Sequence, residues 1–176
     1  MKKQPEATKQ TRENIITAFC RLYETHPIEQ IHVKDVITSA GYNRSTFYEY
    51  FPDIYALLTY LEDDVIGYIK AGQAAPAHTS KDLLTLLSDK EEYLRVLLGP
   101  YGCIRFQERL KKELFPDQAR ADGDNTLCPY LSEFHITVSL SMYQLWLRRE
   151  KDISLDELSN LIHALYTNGA SGILLL

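Results

Sequence analysis

Apolar residues recur with helical period along almost the whole chain, and no stretch alternates as a half-buried strand would. Ile15, Phe19, Leu22 and Tyr23 form one stripe of a helix expected from about Thr11 to Thr25, which His26-Pro27 ends. A short block follows, with Val33, Val36, Ile37 and Ala40 on one face and Lys34, Asp35, Thr38 and Ser39 on the other. Gly41 closes it, because glycine tolerates the left-handed conformation in which helices commonly stop. After Tyr42 and Asn43 the segment Arg44 to Phe51 resumes a helical pattern with Phe47 inward, and Pro52-Asp53 breaks it and caps a longer helix reaching about Lys70. Loops are expected at 71–80 and 116–125, where Pro, Gly and small polar residues gather. Between them lie two amphipathic segments, Lys81 to Leu98 and Tyr101 to Phe115, parted by Gly99-Pro100. Two last helices are expected, Thr126 to Arg149 and one from Leu155 to about Tyr166 or beyond, the latter opened by a Ser154/Glu157 capping box. The fold class is all-α.

The pair of short helices around Gly41 carries the chemistry. Two short helices joined by a tight turn containing glycine form a helix-turn-helix, whose second helix can lie in the major groove of DNA. Arg44 offers a planar fork matched to guanine O6 and N7, while Asn43, Ser45 and Thr46 are short polar groups at a helix N-terminus that itself attracts phosphate. Tyr48 and Tyr50 have hydroxyls able to donate to phosphate, and Lys34 opens the preceding helix on the other side of the groove.

The run Ile31-His32-Val33-Lys34-Asp35-Val36, then Ala40-Gly41-Tyr42-Asn43-Arg44-Ser45-Thr46-Phe47-Tyr48-Glu49-Tyr50-Phe51, then Leu57-Leu58, resembles the N-terminal DNA-binding domain of the TetR family of transcriptional regulators. The resemblance covers about residues 10 to 60. It implies an all-helical protein with a helix-turn-helix domain at 1–53, ordered from about residue 10, and a helical ligand-sensing and dimerisation domain at 54–176. By position it implies Arg44 as chief base reader, Ser45 and Thr46 lining the groove, and Thr46, Tyr48 and Tyr50 as phosphate anchors; the candidate DNA contacts are these with Lys34, Tyr42 and Asn43. Two positions depart from the family's pattern. Ile54 stands where a lysine often contacts the DNA backbone, and His32 stands where a threonine usually caps the second helix.

Charge at first argues against such a partner, because phosphate binding is driven by Lys and Arg and the chain has a formal net charge of -5. Its distribution changes the picture. Residues 1–60 hold seven basic and seven acidic residues, and all the excess acid lies in 61–176. The head is neutral and the body acidic. Lys2, Lys3, Lys9 and Arg12 can serve as a phosphate-binding arm or as a solvated start. Neither a spanning helix nor a signal peptide is legible, so a cytoplasmic protein with no membrane partner is expected. Cys20, Cys103 and Cys128 have no C-x-x-C spacing and are expected to be buried thiols; a redox sensor at Cys103, beside Gly102, is the alternative, with no neighbouring residue that would lower its pKa.

For the body the sequence is less specific. Leu145-Trp146-Leu147 ahead of Ser154, Leu155, Glu157 and Leu158 resembles the final two helices of many family members, which implies a homodimer through those helices. The apolar ending Ile173 to Leu176 fits the same reading. A two-fold dimer would present two recognition helices to a palindromic double-stranded DNA operator. Tyr93, Tyr101, Phe106, Phe134, Tyr143 and Trp146 are candidates to line an apolar pocket for a small-molecule effector. No metal or cofactor is expected, since His135 and His163 have no partner at metal spacing. No catalytic motif is present and no enzyme is expected. Expected, then, is a ligand-responsive DNA-binding regulator, a repressor in most of the family. Its rival is a helical interaction or sensor module of the same fold that has lost sequence-specific DNA binding.

Overall fold

Helix boundaries in the computed structural model fall where caps and breakers put them, over the residues it describes: 5–73, 80–102, 104–114 and 127–173. Every regular element among these is helical: α1 (Pro5–Tyr23), a 3-10 turn (Ile28–Gln30), α2 (Val33–Ala40), α3 (Arg44–Tyr48), α4 (Ile54–Gln73), α5 (Ser80–Asp89), α6 (Glu91–Leu97), α7 (Ile104–Leu114), α8 (Cys128–Arg148) and α9 (Leu155–Ile173). Asp53 caps α4 by accepting the Ala56 N–H at 2.7 Å. Ser154 and Glu157 form the expected box at α9, with Ser154 N–H donating to Glu157 at 2.8 Å and Glu157 N–H to the Ser154 hydroxyl at 3.2 Å.

Several boundaries differ from the sequence pattern, among them the start of α7, at Ile104 rather than Tyr101. Helix α1 starts at Pro5, a residue tolerated in a first turn because its missing N–H has no intrahelical acceptor there. The recognition segment is helical only from Arg44 to Tyr48; after that the Tyr50 N–H turns back to the Phe47 carbonyl at 3.0 Å. Ala71 to Gln73, expected as loop, still belong to α4. The segment from Lys81 to Leu98 is two helices, parted where the Lys90 N–H donates to the Leu87 carbonyl at 3.1 Å. The expected loop at 116–125, Cys103 and the last three leucines lie outside the described residues.

The chain forms two compact units, Met1–Val65 with Glu92–Cys103, and Ile66–Glu91 with Ile104–Leu176. In the first, Ile15, Phe19, Val36, Phe47, Leu57 and Leu61 are fully buried, the face that the period-3.6 stripes mark out. Each such side chain stabilises the fold by about 1.5–3 kcal/mol relative to exposure. Cys20 is buried here, and burial, with Glu92 and Glu24 nearby, pushes its thiol up to about 12. It is an inert core group. The second unit buries Ile69, Leu87, Phe106 and Tyr143, and ion pairs Lys70–Glu113 and Lys111–Glu133 tie α4 and α8 to α7.

Candidate nucleic-acid interface

Gly41 makes the turn between α2 and α3 possible. It ends α2 at φ 74°, ψ 28°, and its neighbour's N–H, on Tyr42, donates to the Ile37 carbonyl at 3.0 Å. A side chain at 41 would meet no atom within 4 Å, so the restriction there is backbone conformation alone. Helix α2 starts at Val33 with His32 as its N-cap, and the His32 backbone N–H donates to the Asp35 carboxylate at 3.2 Å. The helix is thus closed from inside its first turn without the threonine that the resemblance led one to expect.

Asn43 organises the start of α3. Its side-chain oxygen accepts from the Thr46 N–H at 2.9 Å, the Thr46 hydroxyl at 2.9 Å and the Ser45 hydroxyl at 2.6 Å. A backbone N–H can only donate, so the amide oxygen faces the helix and the amide NH₂ faces away, able to donate to phosphate. Ser45 and Thr46 have their hydroxyl protons on Asn43. They therefore present acceptor lone pairs, which suit the exocyclic amines of cytosine or adenine better than a phosphate oxygen. Arg44, Ser45 and Asn43 are exposed, and Thr46 is half-buried.

The remaining expected contacts surround this helix end. Tyr48 is 49% exposed and packs edge-on against buried Phe47, with ring centroids 5.7 Å apart. Tyr50 is half-buried beside Phe51, and Lys34 is exposed on the first turn of α2. Tyr42 is different: its hydroxyl accepts from Asn14 Nδ2 at 2.9 Å, which anchors the turn to α1. Ile54 is buried at 6%, and the exposed side chain of that first turn of α4 is Tyr55, at 57%. Sequence reasoning looked for a cation at 54 and passed over the hydroxyl beside it. It also passed over Asn14, whose part depends on a tertiary contact. Arg12, weighed as a phosphate ligand, lies over the Tyr60 ring at 5.3 Å.

The six aromatic candidates for an effector pocket divide between the units. Tyr93 and Tyr101 belong to the first; burial and the nearby Asp64 push the Tyr93 hydroxyl up to about 12. Phe106, Phe134, Tyr143 and Trp146 belong to the second, where Tyr143 and Trp146 are in ring contact at 5.5 Å and Phe134 is exposed. An open groove of about 160 Å³ lies there, lined by Met142, Leu145, Trp146, Arg149, Asp152, Ile153, Leu158 and Leu161. Trp146 donates its indole N–H to the Ile153 carbonyl at 2.7 Å, which fixes the ring along the groove. No group of three or more His, Cys, Asp or Glu among the described residues can hold a metal ion. No helix among them is long and apolar enough to cross a membrane.

Residues 15–61, which contain α2, the Gly41 turn and α3, match the family model described as bacterial regulatory proteins, tetR family. The N-terminal domain belongs to the TetR family. The fold of the whole chain is that of TetR-type regulators as well. It resembles the TetR transcriptional regulator from Streptococcus agalactiae 2603V at TM-score 0.62 and 20% identity, covering 92% of this chain and 96% of that one. It also resembles the fatty acid degradation regulator FadR from Bacillus halodurans at TM-score 0.62 and 14% identity, over 94% and 96% of the two chains. The dihydroxyacetone kinase operon activator DhaS matches at TM-score 0.55 and 19% identity, over 90% and 95%. No curated protein matches the chain. The chain thus carries a tetR-family match at 15–61 within a fold that it shares along nearly its whole length with TetR-type structures.

Proposed function

We propose that the protein is a ligand-responsive repressor that binds a palindromic operator as a homodimer, each copy placing α3 in the major groove. The observation that carries this reading is the exposed Arg44 beside an N-terminus that Asn43 has already capped, with its hydroxyl neighbours pinned as acceptors. Arg44 reads guanine bidentately, Ser45 and Thr46 accept from base amines, and Asn43, Tyr42, Tyr48, Tyr50 and Lys34 donate to the backbone.

Homodimerisation is supported by α8 and α9. Phe134 and Leu145 on α8, and Leu161 and Leu165 on α9, are exposed and apolar, and the groove at Trp146 opens beside Leu145 and Leu161. A second copy related by a two-fold axis covers such a face with its own equivalent. It would set the two recognition helices one helical turn of DNA apart, about 34–36 Å. The proposed effector contacts are Phe106, Phe134, Tyr143 and Trp146, all in the second unit. The effector acts by binding one spacing of the two heads better than another. The name of DhaS says that this fold also serves activation, so the sign of regulation is read with a promoter-fused reporter.

The test is binding to duplexes selected from a random-sequence pool, followed across a salt series. Sequence-selective binding that Arg44→Ala weakens by about 10–100-fold is expected, from the loss of one bidentate base contact. Absence of binding even at low salt would favour the interaction module that has lost DNA recognition.

A further inference from the structure

The groove beside Trp146 has a fixed floor, a closed rim and an apolar mouth. Trp146 forms the floor, its indole N–H held by the Ile153 carbonyl at 2.7 Å. On the rim Arg149 and Asp152 pair with each other at 2.5 Å, so each charge is already met. The rest of the lining is apolar, with Leu145 on α8 and Leu158 and Leu161 on α9. At about 160 Å³ the groove admits leucine-sized side chains. It is too small for a helix, which is about 10–12 Å across with its side chains. The chemistry asks for an occupant that is apolar, uncharged and narrow.

Residues 173–176 have that composition. Ile173, Leu174, Leu175 and Leu176 are the longest run of large aliphatic side chains in the sequence. Their own helix carries them away from their own groove: Ile173 lies twelve residues beyond Leu161 and fifteen beyond Leu158, about 18 and 22 Å along the axis. The three leucines that follow it reach back at most about 10 Å. One copy cannot fill its own groove.

A second copy can, in a register that the surface of α9 sets. Leu161 and Leu165 are exposed one turn apart. Two antiparallel α9 helices bury both pairs at once when the two-fold axis passes midway between these leucines, so that Leu161 faces the partner's Leu165 and the reverse. Ile173 lies eight residues past Leu165, and Ile153 lies eight before Leu161. At the shallow crossing of about 20° usual in helix bundles, the partner's Ile173 arrives beside Ile153, and the leucines after it continue over the groove. We infer that residues 173–176 of each copy seat in the Trp146 groove of the other, a reciprocal exchange that closes the dimer at both ends. This rests on the homodimer reading and adds to it the register and the occupant of the groove.

The experiment uses the full chain. In sedimentation equilibrium the variant carrying Leu174→Ser, Leu175→Ser and Leu176→Ser is expected to dimerise about ten- to a hundredfold more weakly, the scale of one leucine side chain kept from burial. Its circular dichroism should be unchanged. Trp146 is the one tryptophan in the sequence, so its emission reports the groove. That emission should move to longer wavelength in the variant, and the apolar dye ANS should bind the variant dimer but not the wild-type dimer. Mixing an Ile153→Cys protein with a Leu174→Cys protein puts the two thiols on different copies, and mild oxidation is expected to join them in a disulfide located by peptide mass. A wild-type dimer whose cysteine variants give no such bridge, or a serine variant with wild-type dimerisation and emission, would overturn the tail exchange and leave the dimer reading standing. ANS binding equally to the wild-type dimer would make the groove a small-molecule seat, and a bridge formed only within single copies of the doubly substituted chain would seat the chain's own tail; either overturns the proposal. A wild type that stays monomeric at every concentration brings down the dimer reading itself.

Discussion

Asn43 shows how much one side chain can decide. Three donors converge on its oxygen, so replacing it removes a helix cap and releases the Ser45 and Thr46 hydroxyls together. Asn43→Ala is expected to cost about 1 kcal/mol of stability, read as a melting temperature lower by about 2–4 °C. Operator affinity should fall by more than the lost cap accounts for, because freed hydroxyls rotate and no longer present lone pairs to base amines. Gel-shift titration beside thermal melts separates the two effects; equal affinity at lowered stability would show that Asn43 is a cap and nothing more. At this scale the sequence was informative about residue type and poor about hydrogen-bond direction. Arg44 and Tyr48 were legible because exposure follows from helical period. That Thr46 has its proton turned toward Asn43, or that Tyr42 is held by Asn14, depends on which neighbour the turn brings within reach.

At the scale of elements, the caps at Gly41, Asp53 and Ser154 were legible because each is a local interaction among residues at most five apart. The division of 81–98 into α5 and α6 was not, since no Gly or Pro stands at Lys90 and the break serves packing: α5 lies in one compact unit and nearly all of α6 in the other. The turn from α8 to α9 was equally hidden. Glu150 and Lys151 both adopt left-handed backbone, φ 54° and 60°, with no glycine to announce it. Lys151 is compensated by its ion pair with Glu91 at 2.7 Å and its place over the Trp146 ring. Glu150→Gly is expected to relieve strain on the order of 0.5–1 kcal/mol and raise the melting temperature; a lower one would mean that the side chain contributes more than its backbone costs. The seam between α8 and α9 also carries a pH dependence. Burial, then the nearby His163, lowers the pKa of His135, whose ring lies 4.4 Å from Tyr166. A folded-state pKa below the unfolded value of about 6.5 means that stability is full above that pH and is lost as pH falls through the folded value. Melts from about pH 7.5 to about 5.5 should show a decline that His135→Gln abolishes. Glu113, Glu133 and Glu157, lowered chiefly by hydrogen bonds from Lys70, Lys111 and Ser154, add their losses only further toward acid, below the ordinary glutamate range.

For the whole molecule the arithmetic of charge becomes an argument about symmetry. Seven basic and seven acidic residues in the first sixty leave each head with little net attraction to DNA, and the acid of the body adds none. One head alone is therefore a weak ligand, and useful affinity must come from joining two, where the second contact occurs at high effective concentration. The helical pattern revealed the elements of the proposed dimer but not the face on which two copies would meet, because Leu161 and Leu165 differ from core leucines only in being uncovered within one chain. Leu161→Glu with Leu165→Glu sets like charges against each other across the two-fold axis while leaving the head untouched. Sedimentation should then report a monomer, and operator affinity should drop by two orders of magnitude or more, on the scale of about 10²–10⁴ that linkage supplies. The salt dependence separates this from general damage. Log affinity falls with log salt in proportion to the number of phosphates neutralised, so a monomer that contacts one half-site should show about half the slope of the dimer. An unchanged slope with reduced affinity would mean that both heads still bind together, and that the copies are joined through some other face.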